Sequence, residues 1–317
     1  MTTLAWGARP EEWAIEARGL VKRYGRRRVL DGLDLRVPYG GVHGLLGPNG
    51  SGKTTSIRML LGLIKGQGEM RILGHRVPAQ LDQVIPRVGA IVESPKFMPN
   101  ISAWNNLEIL ALSIGAPTRR VTEVLLEVGL IDAAGRPFKS LSLGMKQRLA
   151  IAATLLKRPD VLIFDEPTNG LDPAGIHEIR STMRALSGMG RTVLISSHLL
   201  AEIEQVADSV TIISHGRIVA EGRMEAFLAD ASPHVYVEVA QRLHAAEVLR
   251  VAGFVVEQAC DGLVVRGRGG AGIDASEVAR SLGEANLWPS ELISRRRNLE
   301  QVFLELTRNE LADGDAA

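Results

Sequence analysis

Cysteine is nearly absent. The chain has one, Cys260, which excludes an internal disulfide and a thiolate zinc site and fits a reducing compartment; it reads as a small buried hydrophobe. Aromatic residues are only 4% of the chain, so platforms for stacking single-stranded nucleic acid are few. An excess of one charge is also missing. Thirty-seven Lys and Arg against 36 Asp and Glu leave a formal net charge of +1, and no global field selects nucleic acid or anionic lipid. No apolar run approaches the roughly 18–20 residues of a membrane span. Residues 1–10 lack the basic-then-apolar order of a signal peptide. The expectation is a cytoplasmic protein whose membrane role, if any, comes through a partner. The seven histidines form no HExxH or similar set, so no metal site made of protein ligands alone is expected.

What is present is an ordinary globular balance. Of 317 residues, 45% are hydrophobic and 23% charged, which suits one large or two modest domains. Strand patterns at Trp13–Ala17, Gly19–Gly25 and Val29–Val37 predict antiparallel pairs with a turn at Asp31-Gly32. Short apolar strands are predicted at 42–46, 68–74 and 88–92. Residues 94–158 change texture to helical periods, and the last of them, Ser142–Lys157, ends before Pro159. Val161–Phe164 is a continuous apolar run, as a central parallel strand should be. Strands and helices then alternate to about residue 225, which predicts a mostly parallel α/β sheet. From 231 to 317 the order becomes β-α-β-β-α-β, which predicts a small ferredoxin-like α+β domain ending in a helix over Asn298–Thr307. The expected division is therefore 1–230 and 231–317.

One stretch organises the chemistry. Gly47-Pro48-Asn49-Gly50-Ser51-Gly52-Lys53-Thr54-Thr55 matches G-x-x-x-x-G-K-[ST] at every specified position. The glycines let successive backbone N–H groups converge on a phosphate chain, Lys53 adds a point charge, and the Thr54 hydroxyl can ligate Mg²⁺. An apolar run before it and helical spacing from Ser56 to Leu63 give it the strand–loop–helix setting that a phosphate site needs. Val161–Phe164 ends in Asp165 and Glu166. A carboxylate at that strand end can hold Mg²⁺, which suits Asp165, and a second can act as general base on water, which suits Glu166. His198, after the strand 192–196, can touch the γ-phosphate or that water. Ser142 is a good N-cap for the helix that follows, and that same geometry offers a hydroxyl and free N–H groups to an anion.

In this order the motifs resemble the ATP-binding subunit of an ABC transporter over roughly residues 14–225. Gly47–Thr55 resembles the Walker A loop, and Val161–Glu166 the Walker B strand with its catalytic glutamate. Leu141-Ser142-Leu143-Gly144-Met145 resembles the signature LSGGQ, with Leu143 and Met145 as departures. Gly170-Leu171-Asp172 resembles the D-loop, His198 the switch histidine, and Tyr24 the aromatic that stacks on adenine. Where the family carries its Q-loop glutamine this chain has Glu93, which keeps an oxygen for Mg²⁺ or the lytic water. That glutamate, residues 92–100 and the closing 298–304 are similar to the bacitracin and lantibiotic export or immunity branch. The alternative is an isolated change in a general drug or polysaccharide exporter.

The resemblance implies ATP and Mg²⁺ as ligands and a second copy, or a close paralogue, whose signature completes each phosphate site. It also implies a separate ABC-2-type membrane permease docking on residues 94–104, and hence a peripheral place on the inner face of the cell membrane; Phe97, Met98 and Trp104 there read equally as a docking groove or as ordinary core. No nucleic acid is implied. A ribosome-associated relative would carry two cassettes and a basic linker, and a chromosome-maintenance ATPase a long heptad insertion. Neither feature is in the sequence.

Overall fold

The runs of Val, Ile and Leu that no polar residue interrupts become central strands, and around them the sheet is built. A computed structural model describes residues 2–3, 13–93, 96–229, 234–259, 261–267, 273–295 and 299. Its chain divides into two units, Met1–Met224 and Glu225–Ala317.

The first unit contains β1 (Thr2–Thr3), β2 (Trp13–Tyr24), β3 (Arg27–Pro38), β4 (Val42–Leu46), α1 (Lys53–Leu60), β5 (Gln67–Ile72), β6 (His75–Val77), α2 (Leu81–Val84) and β7 (Val88–Ile91). After these come α3 (Ala103–Ser113), α4 (Arg119–Glu127), α5 (Leu143–Leu155), β8 (Val161–Asp165), α6 (Pro173–Gly188), β9 (Thr192–Ser197), α7 (Leu200–Glu204), β10 (Ser209–Ser214) and β11 (Arg217–Arg223). A seven-stranded sheet has the order β1-β11-β10-β4-β9-β8-β7. Strands β10, β4, β9, β8 and β7 run parallel, and β11 returns antiparallel to β10. Every residue of β4, β9 and β10 is buried, which explains why they show no polar-apolar alternation, since a strand covered on both faces has no solvent side; the polar residues they do carry, among them His43, Ser196 and Thr211, are hydrogen-bonded within the sheet. A second, antiparallel sheet has the order β3-β2-β5-β6. It shares one core with α1 and the parallel sheet, through Leu20, Leu33, Leu35, Ile57 and Leu60 among others.

The expected turn at Asp31-Gly32 is absent. Strands β2 and β3 pair over their whole length and turn at Gly25-Arg26, so that Asp31 and Gly32 lie inside β3. Pairing slips between Leu20↔Leu33 and Val21↔Asp31, and Gly32 takes φ 73° there. Asp-Gly signals a turn because it tolerates positive φ, and a bulge draws on the same tolerance.

Helices α3, α4 and α5 form the expected helical part. Ser102 caps α3 by accepting from Asn105 N–H at 3.0 Å. Asn106, only 4% exposed, ties the preceding loop down by accepting from Met98 N–H at 2.8 Å and donating to Met98 and Ser102 carbonyls.

Helix α8 (Met224–Ala229) lies at the division between the units. The second unit holds β12 (His234–Glu238), α9 (Arg242–Val251), β13 (Val255–Gln258), β14 (Leu263–Arg266), α10 (Ala275–Glu284) and β15 (Glu291–Arg295). Its sheet has the order β13-β14-β12-β15, and every described neighbour pair is antiparallel. In β12, Val235 and Val237 alternate inward and join Ala245, Leu249, Leu263, Val265, Val278 and Leu282 in a core of their own. Cys260, residues 268–272 and the helix expected over 298–307, apart from Leu299, lie outside the described residues.

Candidate active site

The phosphate loop emerges from β4 where the chain must pass between two packed layers. A Cβ on Gly47 would stand 2.2 Å from the Ile213 carbonyl oxygen, and one on Gly52 would stand 2.6 Å from Leu30 Cδ2. Gly52 also takes φ 114°, immediately before α1 begins at Lys53. Only glycine meets both demands without displacing β3 or β10. Lys53 is 4% exposed and its Nζ donates to the Gly47 carbonyl at 2.7 Å and to the Pro48 carbonyl at 3.3 Å. The loop therefore folds around its own cation. The Ser51 hydroxyl is buried there without a hydrogen-bond partner, an arrangement that a phosphate oxygen would relieve. Thr54 and Thr55 are half-buried, and Asn49 and Gly50 are exposed at the tip.

The second wall comes from β8 and β9. Their register sets Asp165 opposite Ser196. The buried Ser196 hydroxyl donates to Asp165 Oδ1 at 2.5 Å and accepts from the Glu166 N–H at 2.9 Å. One side chain thus aims two acids. Glu166 has φ 46°, the left-handed region, where a non-glycine residue is strained by about 1–2 kcal/mol. That turn swings its carboxylate toward Lys53, with Oε1 at 3.5 Å from Nζ, and toward His198, with Oε2 at 3.2 Å from Nδ1. Lys53, Glu166 and His198, widely separated in sequence, converge on one carboxylate. Ser196 was missed by sequence reasoning. A serine at the end of an apolar strand carries no motif, and only the strand register reveals its role. Thr168 is held nearby, its hydroxyl donating to Glu202 Oε2 at 2.6 Å.

The other expected residues stand elsewhere. Ser142 caps α5, its Oγ accepting from Met145 N–H at 3.2 Å. Leu141 is buried, whereas Leu143 is 54% exposed and leans toward the turn at Gly170, its Cδ2 lying 3.6 Å from where a Cβ would stand on Gly170. Gly144 is buried near Gly175 of α6, and Met145 Sδ lies 3.9 Å from Arg136 Nη1. These contacts run to α6 and the neighbouring turn, not to the phosphate loop of the same chain. Asp172 caps α6, accepting from Gly175 N–H at 3.0 Å, and Leu171 closes the turn before it. Tyr24 is 49% exposed at the end of β2, with Lys22 Nζ 4.9 Å from its ring centre. Glu93 is not drawn into the acid cluster: Arg58 Nη2 donates to its Oε1 at 3.0 Å. Phe97 packs on Phe138 with ring centres 5.1 Å apart, while Met98 is 55% exposed.

Among the described residues no set of three His, Cys, Asp or Glu could hold a metal ion unaided. A hydroxyl at Thr54 and a carboxylate at Asp165 are hard oxygen donors that suit Mg²⁺ completed by phosphate oxygens and water. The site as a whole can cradle a polyphosphate, neutralise it with Lys53 and present a carboxylate to water.

The model of the ABC transporter family matches residues 30–169. The bacitracin transport ATP-binding protein BcrA of Enterococcus faecalis is 36% identical over 305 residues, 93% of this chain and 96% of that protein. The daunorubicin resistance ATP-binding protein DrrA3 of Streptomyces coeruleorubidus is 35% identical, covering 96% and 99%. The lantibiotic transport ATP-binding protein SrtF of Streptococcus pyogenes is 39% identical over 65% of this chain and 90% of its own. Among solved structures, the ADP conformation of MJ1267, an ATP-binding cassette of an ABC transporter, superposes with a TM-score of 0.61 at 26% identity, covering 67% of this chain and 91% of that one. CbiO1 of Clostridium perfringens gives 0.63 at 26% identity, covering 68% and 90%. With the phosphate loop, the paired acids and the histidine in place on this fold, the chain belongs to the ABC transporter family, as one of its ATP-binding, ATP-hydrolysing subunits.

Proposed function

We propose that this subunit powers export of an antibiotic, a peptide such as a lantibiotic, or another drug, working as a dimer beneath separate membrane-spanning subunits of the ABC-2 type. The observation that carries the catalytic part is the Glu166 carboxylate held between Lys53 and His198. The branch rests on similarity to BcrA, SrtF and DrrA3 over the spans given above.

In this reading the loop 47–55 wraps the phosphates of ATP, Lys53 moves from Glu166 to the β- and γ-phosphates, and Tyr24 stacks on adenine. Thr54 and Asp165 would hold Mg²⁺, and Glu93, once it leaves Arg58, would offer a further oxygen to the ion or to the lytic water. The ion neutralises charge on the phosphates. Freed from Lys53, Glu166 accepts a proton from water as the water oxygen attacks the γ-phosphorus, and ADP and phosphate leave. His198 orients that carboxylate. Ser142 and Gly144, whose contacts within the chain leave the Ser142 face open, meet the γ-phosphate of the partner protomer, with Gly170–Asp172 across the same interface. The permease docks on the apolar row that α3 exposes, Ile109 at 44%, Leu110 at 38% and Leu112 at 66%, together with Met98. The second unit is read as a ferredoxin-like accessory module, which the β13-β14-β12-β15 order supports. The working place is then the inner face of the cell membrane, although no described helix is itself long and apolar enough to cross one.

The test is Glu166→Gln. ATP affinity should hold, turnover should fall by about 10²–10⁴-fold as for a lost general base, and Mg-ATP should drive the variant into a stable dimer. Undiminished hydrolysis would remove Glu166 from the role. For the export reading, co-expression with the permease should raise resistance to bacitracin, a lantibiotic or an anthracycline, and Lys53→Ala should abolish the gain.

A further inference from the structure

The β2–β3 hairpin tip carries three successive arginines, Arg26, Arg27 and Arg28, for which the motifs give no use. Arg28 is engaged: it pairs with Asp31, which also holds Arg217 at 2.7 Å. Arg27 has no side-chain partner among the described residues. Its placement is nevertheless specific. The hairpin turns on Gly25 and Arg26, and the register makes Tyr24 and Arg27 direct cross-strand partners. Directly opposed residues of an antiparallel pair project from the same face with Cβ atoms about 5 Å apart. The Arg27 guanidinium lies over the phosphate loop, with Nη2 3.7 Å from where a Cβ would stand on Gly50. The hairpin tip thus offers a ring and, one side chain away, a planar cation that reaches the tip of the loop at Gly50.

We propose that Arg27 is a nucleotide-binding residue that grips the phosphate chain of ATP from the side opposite Lys53, so that Tyr24 and Arg27 together clamp base and phosphates. The inference rests on the nucleotide site proposed above and extends it. Lys53 is buried beneath the loop and bound to its carbonyls. Arg27 is exposed above the loop, free to close on an arriving anion and donate charge-assisted hydrogen bonds to its oxygens. An exposed cation beside a phosphate cradle also raises the local concentration of a polyanion.

The experiment is competition of ATP, ADP and adenosine against a fluorescent ATP analogue on the full chain, with Arg27→Ala, Arg27→Lys and Lys53→Ala. Arg27→Ala should weaken ATP by about ten-fold, as loss of a hydrogen bond to a charged group does, weaken ADP less, and leave adenosine unchanged. Arg27→Lys should fall between, and the loss for ATP should shrink as salt rises. Equal losses for ATP and adenosine would mean a disturbed hairpin and would overturn the proposal, as would an unchanged ATP affinity in Arg27→Ala. If the unsubstituted protein binds ATP and only Lys53→Ala weakens it, the inference about Arg27 fails while the site stands. If Lys53→Ala also binds normally, the site itself is wrong.

Discussion

Glu166 occupies a backbone region that glutamate avoids, and Ser196 is the residue that makes this tolerable. Its hydroxyl accepts from the strained N–H and donates to the neighbouring Asp165. Removing it leaves a peptide donor and a carboxylate oxygen without that partner in a partly buried position. Ser196→Ala should therefore destabilise the protein by about 1–3 kcal/mol. It should also lower kcat for ATP about ten-fold with KM little changed, because both acids lose aim while the phosphate loop is untouched. A mutant with normal kcat would show that Ser196 is merely a strand residue. Lys53, Thr54, Asp165, Glu166 and His198 could be nominated from the sequence because each sits in a fixed spacing or at a strand end, and the structure brings Lys53, Glu166 and His198 together. Ser196 could not, since its role depends on which strand lies beside it. Nor could the Arg58 contact to Glu93, which joins residues 35 apart on the surface. That pair is exposed, 81% at the glutamate side chain, and such pairs contribute under about 1 kcal/mol, so Glu93 is cheaply released.

At the scale of elements, β4 is the hinge of the design, flanked by β9 and β10 and delivering the loop at its end. It carries a buried histidine. His43 is 1% exposed and bridges to β10, Nδ1 lying 2.8 Å from Ser209 Oγ and Nε2 2.9 Å from Thr211 Oγ1. Burial lowers its pKa from 6.5 to about 3, so the folded chain holds it neutral. Below the ordinary value the unfolded chain binds a proton that the folded one refuses. The resulting stability is fully present above pH 6.5 and declines as pH falls toward the folded value of about 3. Near pH 5 the loss should reach about 2 kcal/mol. Urea unfolding at neutral pH and near pH 5 should show it, and His43→Gln, which keeps a hydrogen-bonding group without the titration, should lose less. Equal pH sensitivity in the two proteins would assign the effect to other groups. The run Val161–Phe164 of β8 was legible because its four residues are apolar and buried, as a strand covered on both faces demands. The β2–β3 turn was not, because Asp31-Gly32 could serve a turn or a bulge and only the long-range pairing to β5 and the core under Leu33 decides between them.

At the scale of the whole molecule, each unit has a hydrophobic core of its own among the described residues. The first gathers the two sheets around α1, and the second gathers α9 and α10 on β12 and β14. The Mg-ATP site proposed above lies within Met1–Met224, where residues 47–55 and both acids lie. Calorimetry of Glu166→Gln should accordingly resolve two transitions, of which saturating Mg-ATP raises one, by about 3 kcal/mol at a hundred times the dissociation constant. One transition moving as a block would contradict this. The change of strand and helix order suggested a boundary near residue 230, and the chain divides after Met224, but nothing in a single sequence names the task of the second unit. The row of Ile109, Leu110 and Leu112 on α3 carries a practical consequence for anyone preparing the protein. A patch of that kind is tolerable under a permanent cover and a liability without one. On the docking face proposed above, the subunit produced alone at high concentration should self-associate through this helix, and co-expression with a permease should raise its yield.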